Sequence, residues 1–125
     1  MAINRDQFLA AAKGERRYVE VPIALLGSVR LQSLSNKEMR AIRASLRNDD
    51  GEPIKERFDR LDAILVAATV VDEHGSTQFT DTDAMTDTFS WMDAGPWGIL
   101  CDAVRKHTGW GADASWKPIE NAAKN

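Results

Sequence analysis

The chain reads as an α+β protein, a mostly helical single domain with short antiparallel β-hairpins. Three observations predict this class. Reciprocal helix-capping pairs recur at Asn4–Gln7, Ser35–Glu38 and Thr80–Asp83. Between the first two, "YVEVPI" and "SVRLQSL" alternate apolar and polar residues with the period of a strand. Further on, "AILVAA" (63–68) is apolar nearly all round, as a buried central helix requires.

The first helix is expected over residues 4–13, capped by Asn4, with Ile3 and Phe8 placed for a hydrophobic staple and Gly14 after its end. Its alanine-rich "FLAAAK" suits loose docking. In "YVEVPI", Val19, Val21 and Ile23 share one face and Tyr18 and Glu20 the other. Pro22 donates nothing to a ladder, which places this strand at a sheet edge. Gly27 breaks the chain, and a second strand with Val29 and Leu31 inward completes an antiparallel hairpin.

Ser35 then caps a helix whose Met39, Ile42 and Leu46 form one apolar stripe. Its other face carries Lys37, Arg40, Arg43 and Arg47, read first as a solvated face and second as a phosphate- or acid-binding strip. "NDDGEP" is a loop, and one long helix is expected from about Ile54 to Ala68. Two short strands, "TVVD" and "TQF", follow around an "EHGS" turn. A helix capped by Thr80 then runs through Met85, Phe89 and Met92. "DAGP" ends it, and a last helix carries Trp97, Leu100, Cys101 and Val104 on its apolar stripe, with Gly109 as terminator. His107 is expected to meet that helix's terminal carbonyls. The domain is thus 1–108, with 109–125 as a flexible C-terminal tail.

Composition narrows the function classes. A chain of 125 residues suits one domain, and its net charge of −3, with both signs interspersed, argues against a nucleic-acid binder. Its single cysteine, Cys101, excludes an internal disulfide framework and fits a reducing compartment. No apolar run approaches the roughly 18 residues of a membrane span. "MAINRDQF" lacks the apolar centre of a signal peptide, so a cytoplasmic location is expected.

The chemically richest stretch is "VVDEHGSTQFTDTDAM" (70–85), which crowds carboxylates around one of the two histidines. Calcium loops need regularly spaced oxygens and a closing glutamate, and the register here lacks both. Zinc needs more His or Cys than His74 and the distant His107 offer. Much of the acidity has a backbone explanation, because Asp81 and Asp83 fall in the first turn of a capped helix. No phosphate-binding glycine loop, dinucleotide fingerprint, CxxC pair or nucleophile elbow occurs. A buried Cys101 is read as core, and no cofactor is expected.

The order of elements resembles the tail assembly chaperones of long-tailed bacteriophages. Four patterns carry the resemblance: "VEVPIALLGSVRLQSLSNKEMRAIR", "RFDRLDAILVAATVVDEHG", "FTDTDAM" and "IENAAKN". They span about Tyr18 to Asn125, and it is their order rather than any one motif that is specific. The alanine-rich first helix and the tryptophans near the end lie outside the resemblance. It implies a non-enzymatic protein of the host bacterial cytoplasm that associates with the tape-measure protein, helps recruit tail-tube subunits, self-associates and is absent from the finished virion. An adaptable apolar and aromatic surface suits that work, and Met39, Met85, Met92, Trp91 and Trp97 are candidates. Met39 and Trp97 lie on core stripes. Trp91 falls off the Met85–Phe89–Met92 row and is expected exposed, while Trp116 sits in the tail. The candidate protein-binding residues are therefore Arg40, Arg43, Arg47, Trp91 and Trp116. Two other readings compete: a small structural tail or connector protein, and a small metal-dependent hydrolase using Asp72, His74 and Asp81.

Overall fold

The computed structural model describes residues 2–110. Along them run α1 (Arg5–Ala12), β1 (Tyr18–Ile23), β2 (Gly27–Gln32), α2 (Asn36–Ser45), α3 (Lys55–Asp59), α4 (Leu61–Thr69), β3 (Val70–Val71), α5 (Asp81–Met85), a 3₁₀ turn (Asp87–Phe89) and α6 (Ala94–Thr108). The class is α+β, with helices around one three-stranded antiparallel sheet of order β1-β2-β3. In the hairpin Val19 faces Leu31 and Val21 faces Val29 across the ladder, and β3 joins β2 through Arg30↔Val71 and Leu31↔Val70. Pro22 lies on an edge strand, where its missing N–H costs no ladder bond.

The core forms around α4, with the hairpin and α6 on one side and the end of α2 and α5 on the other. Leu65 and Val66 pack with Ile23 and Leu31 of the hairpin and with Leu100, Cys101 and Val104 of α6. Ile64 and Ala67, on the other side of α4, pack with Leu46 and Ala84. A helix enclosed on both sides must be apolar all round, which is what "AILVAA" encodes. Two polar side chains are buried, Gln32 and Thr69, and Gln32 donates from Nε2 to the Ala68 carbonyl at 2.8 Å, tying the sheet's central strand to the end of α4.

Several expected boundaries are corrected. The single helix over 54–68 is two, broken at Arg60, whose backbone (φ −109°, ψ 19°) leaves helical geometry. The Arg60 guanidinium reaches the Thr86 carbonyl and the Asp87 carboxylate, tying the break to the 3₁₀ turn. Consequently Phe58 stays half exposed rather than joining the α4 stripe. The helix after Thr80 also stops early. Thr86 is extended (φ −108°, ψ −172°), and its hydroxyl donates to the Asp83 carbonyl at 3.2 Å. A threonine hydroxyl that takes a backbone partner competes with helix continuation. The second hairpin shrinks to β3 and a lone bridge from Val71 to Thr77, so "TQF" is not a strand and β3 fills the second sheet edge.

His107 does not cap its own helix. Its Nε2 lies 3.3 Å from the Arg17 carbonyl, and Arg17 returns a bond to the His107 carbonyl at 3.2 Å, which fastens the start of β1 to the end of α6. Thr108 takes the terminal role instead, donating to the Val104 carbonyl at 2.8 Å. Gly109 ends α6 in the left-handed conformation (φ 75°). Beyond it, Trp110 is half-buried against both core clusters. The core's cover therefore reaches two residues past the expected domain end at 108; the rest of the expected tail lies outside the described residues.

Candidate partner-binding surface

Helix α2 is positioned from its first residue. Ser35 Oγ accepts from the Glu38 amide at 3.1 Å, and Glu38 Oε1 accepts from the Ser35 amide at 2.9 Å. Arg16 then grips the same carboxylate with two bonds, at 2.8 and 3.1 Å, and donates to the Ser33 carbonyl at 2.8 Å. Partial burial works against the Glu38 charge, but the Arg16 and Ser35 hydrogen bonds outweigh it and hold the carboxyl below its ordinary range.

The basic row that follows is exposed throughout, as a solvated face should be, but its members differ. Arg47 donates to the Gly51 carbonyl at 3.1 Å and closes the 48–53 loop. Arg43 lies 5.3 Å over the Trp110 ring, a cation–π arrangement that pins the end of the described chain to α2. Lys37 and Arg40 have no ion-pair partner among the described residues.

Beside this row runs a groove of about 480 Å³ between α2, α4 and residues 77–81. Ile42, Ile64, Ala67 and Phe79 line it with apolar surface. Arg57 bounds it as well. Its guanidinium holds both Asp81 oxygens, at 3.0 and 3.1 Å, and donates to Ser45 Oγ at 3.0 Å. That bond holds the Asp81 carboxyl below the usual carboxylate range, against the opposing effect of partial burial. Sequence reasoning missed both the Arg57–Asp81 pair and the groove. The partners are 24 residues apart, and nothing local marks them.

The acidic stretch serves the backbone. Asp72 Oδ1 accepts from the amides of His74 and Ser76 at 2.8 and 3.0 Å, bonds that also hold its carboxyl below the ordinary range. Gly75 completes this turn at φ 81°, with the Tyr18 hydroxyl only 3.0 Å from where a Cβ would stand. Thr80 and Asp83 cap each other at 3.1 and 2.8 Å. Asp72, His74 and Asp81, the hydrolase candidates, are thus assigned to a turn, to solvent and to Arg57 respectively. His74 is exposed and 3.4 Å from Glu73. Among the described residues no group of three or more His, Cys, Asp or Glu is placed to hold a metal ion. Cys101 is buried, and desolvation together with the nearby Asp62 charge pushes its thiol up to about 12. A thiol so far from ionising is a core side chain.

Of the aromatic candidates, Trp91 is 90% exposed. Trp97 is half-buried and stacks on Phe89, with ring centroids 5.1 Å apart; Met39 is buried, and Met85 and Met92 are half-buried. Trp116 lies outside the described residues. One exposed residue had no sequence signal beyond the "ALLG" turn. Leu25, at the hairpin tip, is 84% exposed and held in the left-handed region at φ 71°, a costly conformation for leucine. Compared with known protein families, curated proteins and solved structures, the chain matches none.

Proposed function

We propose that this chain is a tail assembly chaperone of a long-tailed bacteriophage. In this reading it binds the tape-measure protein in the host cytoplasm, helps recruit tail-tube subunits and leaves before the virion is complete. The observation that carries the reading is the order of elements: hairpin, capped basic helix, apolar helix, "VVDEHG" turn and "FTDTDAM" helix start. Two features support a binding role. Trp91, 90% exposed, offers a large aromatic side chain of the kind that anchors interfaces. Among the described residues the outer edge of β1 also has no neighbouring strand, and Pro22 interrupts its row of donors at one position alone, which suits self-association into a homo-oligomer. No helix among the described residues is long and apolar enough to cross a membrane.

The test is quantitative mass spectrometry of infected cells and of purified particles. The chain should be abundant in the lysate before tails form and absent from finished particles. A fixed number of copies per particle would instead make it a structural tail or connector protein. Light scattering over a wide concentration range checks the oligomer, and a strict monomer would remove that part of the reading.

A further inference from the structure

The groove beside α2 carries enough chemistry to name its occupant. Its lining is apolar at Ile42, Ile64 and Phe79, and the walls contributed by the two helices are small, at Ala41, Ser45 and Ala67. Small side chains on neighbouring helices let a third backbone approach closely, and the apolar floor rewards burial of aliphatic side chains. The Arg57–Asp81 pair on its lining is internally neutralised. The α2 rim is not. Lys37, Ala41 and Ser45 fall on one i, i+4 row of the helix, and Arg40 lies about 100° round from Ala41 on the outward side. Glu38, the acid of that turn, is held by Arg16 and by the cap, and neither Lys37 nor Arg40 has an ion-pair partner among the described residues.

We infer that this groove docks an amphipathic helix from a partner protein, with aliphatic and small residues on the face it buries and acidic residues along the flank that meets Lys37 and Arg40. Naming the tape-measure protein as the source of that helix rests on the function proposed above; the groove and the chemistry of its occupant do not. Two occupants from this chain fit less well. In α1, Asp6 is offset by Arg5, and in residues 111–125, Asp113 and Glu120 are offset by Lys117 and Lys124, so neither offers an acidic flank.

The experiment titrates the isotopically labelled full chain, followed by amide NMR, with three probes. The first is a set of overlapping peptides covering the tape-measure protein. The second is a designed acidic amphipathic helix of about 20 residues, long enough to be helical alone. The third is the same helix with lysine in place of its acids. The expected result is that the acidic helix and at least one tape-measure peptide shift the amides of Ala41, Ile42, Ser45, Ala67 and Phe79, while the lysine helix does not. In the double variant Lys37→Glu, Arg40→Glu, both exposed, the same probes should bind about tenfold more weakly, with circular dichroism unchanged. If the acidic helix seats in the groove and no tape-measure peptide shifts any amide, the groove assignment stands and the tail reading fails. If the acidic helix leaves the groove amides unmoved while tape-measure peptides shift amides elsewhere, such as those around Trp91 or β1, the groove is overturned and the tail reading stands. No binding by either probe, or equal binding by the lysine helix, overturns the inference. So does a chain ending at Trp110 in which the loss of residues 111–125 alone moves the groove amides, because the occupant would then be the chain's own end.

Discussion

Asn4 opens α1 and Ser35 opens α2 with the same reciprocal cap, and the hydrogen bonds in both lie between 2.9 and 3.1 Å. From there the two helices diverge. Helix α2 buries Met39 within its span, and Leu46 at its end enters the core beside α4. Helix α1 buries nothing, and its Phe8 stands 63% exposed. The difference teaches that a cap sets where a helix begins, whereas an apolar stripe of helical period sets whether it packs. Eight residues are too few for a stable isolated helix, so α1 is the element with the least holding it in place.

The strongest way to break this comparison is to cut a side chain from each helix's apolar set. Leu46→Ala should cost about 2–5 kcal/mol, because it leaves a cavity against Ile64 and Ala67. Phe8→Ala should change global stability by no more than about 0.5 kcal/mol. Chemical denaturation of both variants measures the contrast, and similar losses would mean that α1 is packed after all.

Removing the caps comes next. Ser35→Ala should destabilise the domain by roughly 0.5–2 kcal/mol, since the helix it starts is part of the core. Asn4→Ala should leave the global midpoint in place and lower only the helical signal, because α1 can unravel without opening anything buried. A shift in global midpoint for Asn4→Ala as large as that for Ser35→Ala would erase the distinction.

Acid sharpens it further, because only one of the two caps is ionised. Glu38 is held below the ordinary range in the folded protein, and Asp72 and Asp81 are held down as well. Near pH 4 the unfolded chain therefore binds more protons than the folded one, and stability rises with pH through that region. The contribution is fully present above the ordinary carboxylate range and is lost as pH falls through the lower folded values. Stability measured from pH 6 downward should fall below about pH 4, and Glu38→Gln should flatten part of that slope. Amide NMR should show the Ser35 and Glu38 amides of the α2 cap responding to this titration, whereas the α1 cap, made by the Asn4 and Gln7 side chains, has no ionisable group. A slope unchanged by Glu38→Gln would mean that this carboxylate is not held down.

These contrasts also explain what could be read from the sequence. All three caps, the first hairpin, the apolar α4, the edge position of Pro22 and the glycine end of α6 were legible, because each depends on residues a few positions apart. The breaks at Arg60 and Thr86 were not. Arg60 interacts with residues 26 and 27 positions away, and Thr86 combines a local hydroxyl bond with a change of backbone direction that helical periodicity does not encode. The site divides in the same way. The exposure of Arg40 and Trp91 followed from their positions off the apolar stripes. The groove needed Arg57 to find Asp81, and α2 to lie beside α4, and no local pattern announces either.

The smallest expected effect is at His74, the residue that made the acidic stretch look catalytic. Its side chain is exposed beside a turn held by the Asp72 carboxylate and Gly75, so His74→Ala should shift stability by no more than about 0.5 kcal/mol. Atomic absorption on the purified protein and on this variant completes the test, and stoichiometric metal that disappears with His74 would make the stretch a metal site.

The central claim is that the protein works by holding another. Co-expression of the full chain with the tape-measure protein tests it most directly, with the tape-measure protein expressed alone as reference. The account predicts that the tape-measure protein is soluble and co-purifies with this chain when both are present, and aggregates without it. A tape-measure protein that is equally soluble alone, and fails to co-purify with this chain, would contradict it.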